Sequence, residues 1–128
     1  MMSSHTSDGD TARAIGARLE KTAEQYLNAR GLVTLSRNHR CRGGEIDLVM
    51  RSGECIVFVE VRYRRSRAFG SAAESVDRRK QQRVLLAARH YLARHRLHDR
   101  QPCRFDVLAM HGPHEALEVD WIEGAFSA

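Results

Sequence analysis

The chain has 128 residues, 42% of them hydrophobic and 29% charged, which is the composition of one compact domain and too little chain for two separate cores. No apolar run approaches the roughly 18 residues of a membrane span, Met1 to Asp10 has no signal-peptide core, and three cysteines are an odd number for a disulfide framework. The reading is therefore a cytoplasmic protein with reduced thiols and no membrane partner.

The formal charge of +5 is unevenly spread: residues 1–29 carry −1, residues 30–104 carry +11 and residues 105–128 carry −5. Nineteen of the twenty-one basic side chains are arginine, whose planar fork suits phosphate. A polyanion is favoured as partner, nucleic acid first. The plainer alternative is a solvated arginine-rich surface.

Met1 to Asp10 is small, polar and without periodicity, and reads as a disordered tail ahead of a single domain over residues 11–128. From Thr11, the residues Ile15, Leu19, Ala23, Tyr26 and Leu27 recur at helical spacing and Gly31 stops the helix. Leu32 to Asn38 reads as a strand and Cys41 to Gly44 as a turn. Glu45 to Met50 and Cys55 to Arg62, joined through Arg51–Glu54, read as a hairpin. Arg64 to Ser75 is a basic loop. Val84, Leu85, Ala88, Tyr91 and Leu92 mark a second helix ending before Pro102. Ser71 with Glu74 matches a capping box, but Asp77 stands directly before the periodic stretch and is the preferred cap. Cys103 to Met110 and Ala116 to Ile122 are the last strands, around a His111–Pro113 turn. The order α-β-β-β-α-β-β predicts a mixed central sheet flanked by two helices.

An even hairpin turn with Arg51 opposite Glu54 would pair Met50 with Cys55, Leu48 with Val57 and Ile46 with Val59 on one apolar face. The other face would then carry Glu45, Asp47, Glu60 and Arg62, with Glu60 across from Glu45 and diagonal to Asp47. Like charges packed that closely repel unless a cation joins them. Oxygen-only ligands suit Mg²⁺ or Mn²⁺, and such an ion can polarise a scissile phosphate. The competing reading is the solvent face of an amphipathic hairpin, on which Arg62 neutralises Glu60.

Gly43-Gly44-Glu45-Ile46-Asp47-Leu48-Val49-Met50, followed by Val57-Phe58-Val59-Glu60-Val61-Arg62-Tyr63-Arg64, resembles the signature of the YraN family of small bacterial proteins. The resemblance continues through Gly16, Glu20, Tyr26-Leu27 and Gly31, through Ser75-Val76 with Lys80, and through Cys103 to Val107, Trp121-Ile122 and Ala125-Phe126. That family is similar in turn to archaeal Holliday-junction resolvases and to the restriction-endonuclease superfamily, whose motif is an acid, a hairpin and then acid-x-lysine. The resemblance implies a restriction-endonuclease-like α/β domain with Asp47 and Glu60 as metal ligands, and Glu20 reaching the same ion. It also implies DNA, including branched recombination or repair intermediates, as the substrate class of a Mg²⁺-dependent endodeoxyribonuclease.

The superfamily lysine is replaced by Arg62, a poor proton acceptor that can still hold phosphate charge. Lys80 is the substitute candidate. In the first turn of the second helix it joins Arg78 and Arg79, where the helix dipole opposes cations and an anion at the helix end would relieve them. An ordinary solvated helix start is the alternative for Arg78 and Arg79. Arg62, Arg64, Arg65 and Arg67 leave the strand of Glu60 directly and would guide a phosphate backbone past the acids.

The leading expectation is that Asp47 and Glu60 hold Mg²⁺, with Glu20 and Glu45 supporting, and that Arg62 and Lys80 contact the phosphate. The rival is a nucleic-acid-binding protein of the same fold with little or no cleavage, and the oligomeric state is open, a homodimer included. His39, Cys41, His90, His95, His98 and Cys103 lack metal-ligand spacing, with His95 placed on the apolar stripe of the second helix, and Trp121 and Phe126 read as packing.

Overall fold

The structure is a computed structural model and describes residues 8–67, 70–97 and 101–128. Helix α1 (Asp8–Ala29) is followed by strands β1 (Val33–Cys41), β2 (Gly44–Ser52) and β3 (Cys55–Arg64). A 3₁₀ turn (Ala73–Ser75), helix α2 (Arg78–Arg94), β4 (Cys103–His111) and β5 (Glu118–Phe126) complete the chain. This is the predicted α-β-β-β-α-β-β order. Helix α1 begins inside the stretch read as a tail, and residues 1–7 of that stretch lie outside the described residues.

The five strands form one sheet in chain order, antiparallel throughout except for the parallel β3–β4 pair. A parallel pair needs a crossover, and the 3₁₀ turn with α2 supplies it. Leu19, Ala23 and Leu27 of α1 pack on Leu48, Met50, Val57, Val59, Leu108 and Met110. On the opposite face Val84, Ala87, Ala88 and Tyr91 of α2 pack on Ile46, Val49, Ile56, Phe58 and Phe105. Both helical stripes are thus used as their spacing predicts, with Leu85 and Leu92 at the margin of the second.

Both capping signals ahead of α2 are used. Asp77 accepts the Lys80 backbone N–H at 3.0 Å and caps α2. Upstream, the Ser71 amide and hydroxyl donate to Glu74 Oε1 (3.2 and 3.0 Å) and the Glu74 amide donates to Ser71 Oγ (3.2 Å), closing a capping box around the 3₁₀ turn.

The hairpin register departs from expectation by two residues. The turn is Gly53–Glu54, pairing Ser52 with Cys55, Arg51 with Ile56, Met50 with Val57, Val49 with Phe58 and Leu48 with Val59. Gly53, at φ +60°, occupies the first turn position, where a Gly-X turn requires a positive φ, and so draws Arg51 and Ser52 into the strand. An even shift keeps each residue on its face. It removes Glu45 from its place across Glu60, however, and continues the register toward Asp47.

Ile46 is a second departure. It was expected beside Leu48 on one apolar face but packs in the α2 layer, whereas Leu48 packs in the α1 layer. The neighbouring strand turns over at the same level. Arg37 of β1 bonds Glu24 of α1, and His39, two residues on, meets His90 of α2. Between them Asn38 adopts φ +51°, a left-handed conformation that breaks the alternation of a strand.

Helix α2 approaches β2 through Gly44, where an added Cβ would lie 2.5 Å from the Arg83 carbonyl oxygen and 2.9 Å from the Ala87 nitrogen. Backbone cannot yield as a flexible side chain can. Gly44→Ala is expected to cost about 1–3 kcal/mol in urea unfolding. Gly16→Ala, on a helical position with open space around it, should stabilise by about 0.5–1 kcal/mol.

Candidate functional site

The site forms where β2 and β3 separate. Their backbone pairing is recorded as far as Leu48–Val59, and the next backbone N–H on that side, from Val61, donates to Asp47 Oδ2 at 2.8 Å. A side-chain carboxylate thus stands in for a strand carbonyl. Glu60 lies beside it, 6% exposed, with Oε1 buried and without a hydrogen-bond partner.

Burial, and after it the charge of Asp47, pushes the Glu60 carboxyl up to about 8, against the opposing pull of Lys80 and Arg62. Asp47 is raised as well, by burial first and by Glu45 in addition, while the Val61 amide and Glu60 hold it down. Glu20, on α1, is raised by burial and by Asp47, with Asn38 and Arg40 opposing. These mutual influences join Glu20, Glu45, Asp47 and Glu60 into one electrostatic neighbourhood with Arg62 and Lys80 at its edge. Asp47 and Glu60 are its centre.

Glu45 is turned toward arginine instead, 3.6 Å from Arg40 and 3.8 Å from Arg83. Among the described residues no group of three or more His, Cys, Asp or Glu side chains converges as a ready-made cage for a metal ion. A pair of carboxylates is nevertheless the donor set that suits Mg²⁺, which keeps several waters and completes its shell on phosphate. The unpartnered Glu60 Oε1 fits that requirement, being a buried oxygen that gains a partner only when a proton or a cation arrives.

Arg62 donates through Nε to Ser75 Oγ at 2.8 Å, so the strand end is tied to the 3₁₀ turn. The same turn is anchored from below, where the Ala72 amide donates to Nε2 of the buried His111 at 2.8 Å. Arg64, Arg65, Arg78 and Arg79 are exposed, and Lys80 is half-buried. Arg67 is engaged by the acidic last strand, 2.9 Å from Asp120 and 3.9 Å from Glu118.

Sequence reasoning did not single out Asn38, although an asparagine within a strand pattern is the non-glycine residue best suited to the left-handed region. It also missed the role of the Ser75 hydroxyl. Among the discounted residues, His39 Nε2 and His90 Nδ1 are 3.0 Å apart. His95 continues the apolar stripe at the very end of α2, its ring stacked on Tyr91 at 4.0 Å while it caps the helix with Nδ1 2.9 Å from the Tyr91 carbonyl oxygen. His98 lies outside the described residues. Trp121 donates to the fully buried Asp106 at 2.9 Å and Phe126 stacks on Phe105, both as packing.

The model of the uncharacterised protein family UPF0102 matches residues 19–110, a span that includes Glu20, both strands of the carboxylate hairpin and Lys80. The chain belongs to this family. UPF0102 is the YraN family of the sequence resemblance. UPF0102 proteins from Aeromonas hydrophila, Saccharophagus degradans and Stutzerimonas stutzeri are 52%, 50% and 48% identical to it. The alignments cover 91%, 88% and 91% of this chain and 87%, 92% and 98% of those relatives. Among the described residues of this UPF0102 member, no helix is long and apolar enough to cross a membrane.

Glu60 binds its proton more tightly folded than unfolded, where its ordinary value is 4.5. Its contribution to stability is therefore complete below about pH 4.5 and is lost as pH rises through about 8. In metal-free buffer Glu60→Gln abolishes that loss. The Tm of the variant relative to the parent should climb between pH 5 and about pH 8 and level off above it in scanning calorimetry.

Proposed function

We propose that this UPF0102 protein is a metal-dependent, nuclease-fold protein that acts on DNA by phosphodiester hydrolysis, with branched intermediates within its substrate range. The observation that carries the reading is the buried Asp47–Glu60 pair, whose Glu60 Oε1 has no partner while the charges of Lys80 and Arg62 act on it. An isolated carboxylate pair in low dielectric is costly, and a site that binds a divalent cation explains why the chain keeps it.

In this reading Asp47 and Glu60 hold Mg²⁺ or Mn²⁺, with Glu20 and Glu45 shaping the surrounding charge. The ion, when bound, supplies Lewis-acid activation of the phosphodiester. Glu60 gives up its proton before it can serve as a ligand, so cation affinity rises with pH. Lys80 and the terminal nitrogens of Arg62 hold the phosphate. Arg64, Arg65, Arg78 and Arg79 line its approach, and Arg67 belongs to this strip only so far as it leaves Asp120.

A second reading, a DNA-binding protein of the same fold with little or no cleavage, rests on the Arg62–Ser75 bond. That bond makes the residue in the superfamily lysine position a structural tie, and a guanidinium accepts no proton near neutral pH.

Purified protein incubated with duplex, single-stranded and four-way-junction DNA in Mg²⁺ or Mn²⁺ separates the readings. Hydrolysis is expected to require the ion and to vanish in Asp47→Asn and Glu60→Gln, both of which should still bind DNA. Binding with no cleavage of any substrate selects the second reading. DNA affinity should fall steeply with salt, and replacing Arg64 and Arg65 by alanine should lower the slope of log K against log salt by about 2. Affinity indifferent to salt removes nucleic acid as the partner.

A further inference from the structure

Two histidines without metal-ligand spacing in the sequence are brought together by the fold. His39 of β1 and His90 of α2 are 51 residues apart in the chain, yet His39 Nε2 lies 3.0 Å from His90 Nδ1. The meeting depends on Asn38, whose φ of +51° inside a nine-residue strand turns β1 over and sends Arg37 to α1 and His39 to α2. The His39 ring then meets the buried Tyr91 edge to face, with ring centroids 5.3 Å apart, and Tyr91 is in turn stacked on His95 at 4.0 Å. His39 is half-buried and set in place, whereas His90 is exposed.

Two neutral imidazoles in this contact share one hydrogen between the facing nitrogens. If that hydrogen moves to the far nitrogen of its own ring, both facing nitrogens offer lone pairs. Imidazole nitrogens bound to one ion at about 2.1 Å sit about 3.0 Å apart at a right angle and about 3.4 Å apart at the tetrahedral angle. The separation of His39 and His90 is that of adjacent corners in the tetragonal geometry of Cu²⁺ or Ni²⁺.

Burial first, then the charges of His90, His95 and Arg94, hold His39 below the ordinary histidine value and so favour the neutral form that ligates. Those positive neighbours also repel a free cation, so binding has to come from strong bonds to imidazole, which suits Cu²⁺ and Ni²⁺ and not Mg²⁺. Cys41 packs in the same layer, but among the described residues no third His, Cys, Asp or Glu joins the pair. Two protein ligands leave the other corners of the ion to water or to small ligands.

We propose that His39 and His90 form a bis-histidine site for a divalent transition ion of the Ni²⁺ and Cu²⁺ class, which clasps β1 to α2. None of the hairpin carboxylates is among its ligands, and it stands independently of the nuclease reading.

The test is titration of the full chain with Ni²⁺ by isothermal calorimetry, with the change in Tm on adding Ni²⁺ as a second readout and circular dichroism as the check on folding. The parent should bind saturably and gain a few degrees of Tm, because the ion joins two elements that separate on unfolding. His39→Gln and His90→Gln should each weaken binding about tenfold or more and remove the gain in Tm. The double variant should bind no more weakly than either, since one imidazole alone makes no chelate. Glu60→Gln should bind Ni²⁺ as the parent does, and Mg²⁺ in about tenfold excess should not displace it.

No saturable binding by the parent, affinity unchanged in His90→Gln, or losses that add in the double variant overturns the proposal. Binding that is lost in Glu60→Gln and kept in His90→Gln puts the ion on the carboxylates and overturns it as well. Because His90 is exposed, His90→Gln decides the matter if His39→Gln does not fold.

Discussion

Where the β2–β3 ladder gives out, the Asp47 carboxylate accepts an amide that a strand carbonyl would otherwise take, and Glu60 is buried against it. Two acids in so little water are tolerable only if their surroundings are held still. The connection from β3 to α2 is held at successive points: Arg62 to Ser75, Ala72 to His111, Ser71 to Glu74 and Asp77 to the Lys80 amide. Each bond fixes one more residue of what would otherwise be a basic loop. Together they bring Lys80 to the side of Glu60.

Helical spacing and turn residues were enough to read the element order, the two apolar stripes and the Asp77 cap. Alternation along the hairpin also identified Leu48 and Val57 as inward on one layer. The exact register escaped, because Ser52–Gly53 and Gly53–Glu54 are both possible two-residue turns that place Gly53 where a positive φ is accepted. The layer change at Ile46 escaped because it originates in another strand, at Asn38. Asp47, Glu60 and Lys80 were legible from residue type and resemblance. The engagement of Glu45 by Arg40 and Arg83 depended on the register, and so could not be read before it.

Strand β1 belongs to both layers of the molecule. Its first half is fastened to α1 through Glu24, which accepts Thr34 at 2.6 Å and Arg37 at 2.8 and 2.7 Å. Its second half meets α2 at His90. Because Gly44 lets α2 sit directly on β2, the two helices are linked through the same two strands from opposite sides. The carboxylates lie at that junction.

The negative end of the sequence folds as β5, the outermost strand on one side of the sheet, carrying Glu118, Asp120 and Glu123. An outer strand offers unpaired backbone groups to any other strand that meets it. A second β5 brought alongside would set acid near acid along its length, with Arg67 and Arg104 of each copy already committed to its own carboxylates. The carboxylates of this outer strand thus make edge-to-edge pairing of two such strands electrostatically unfavourable.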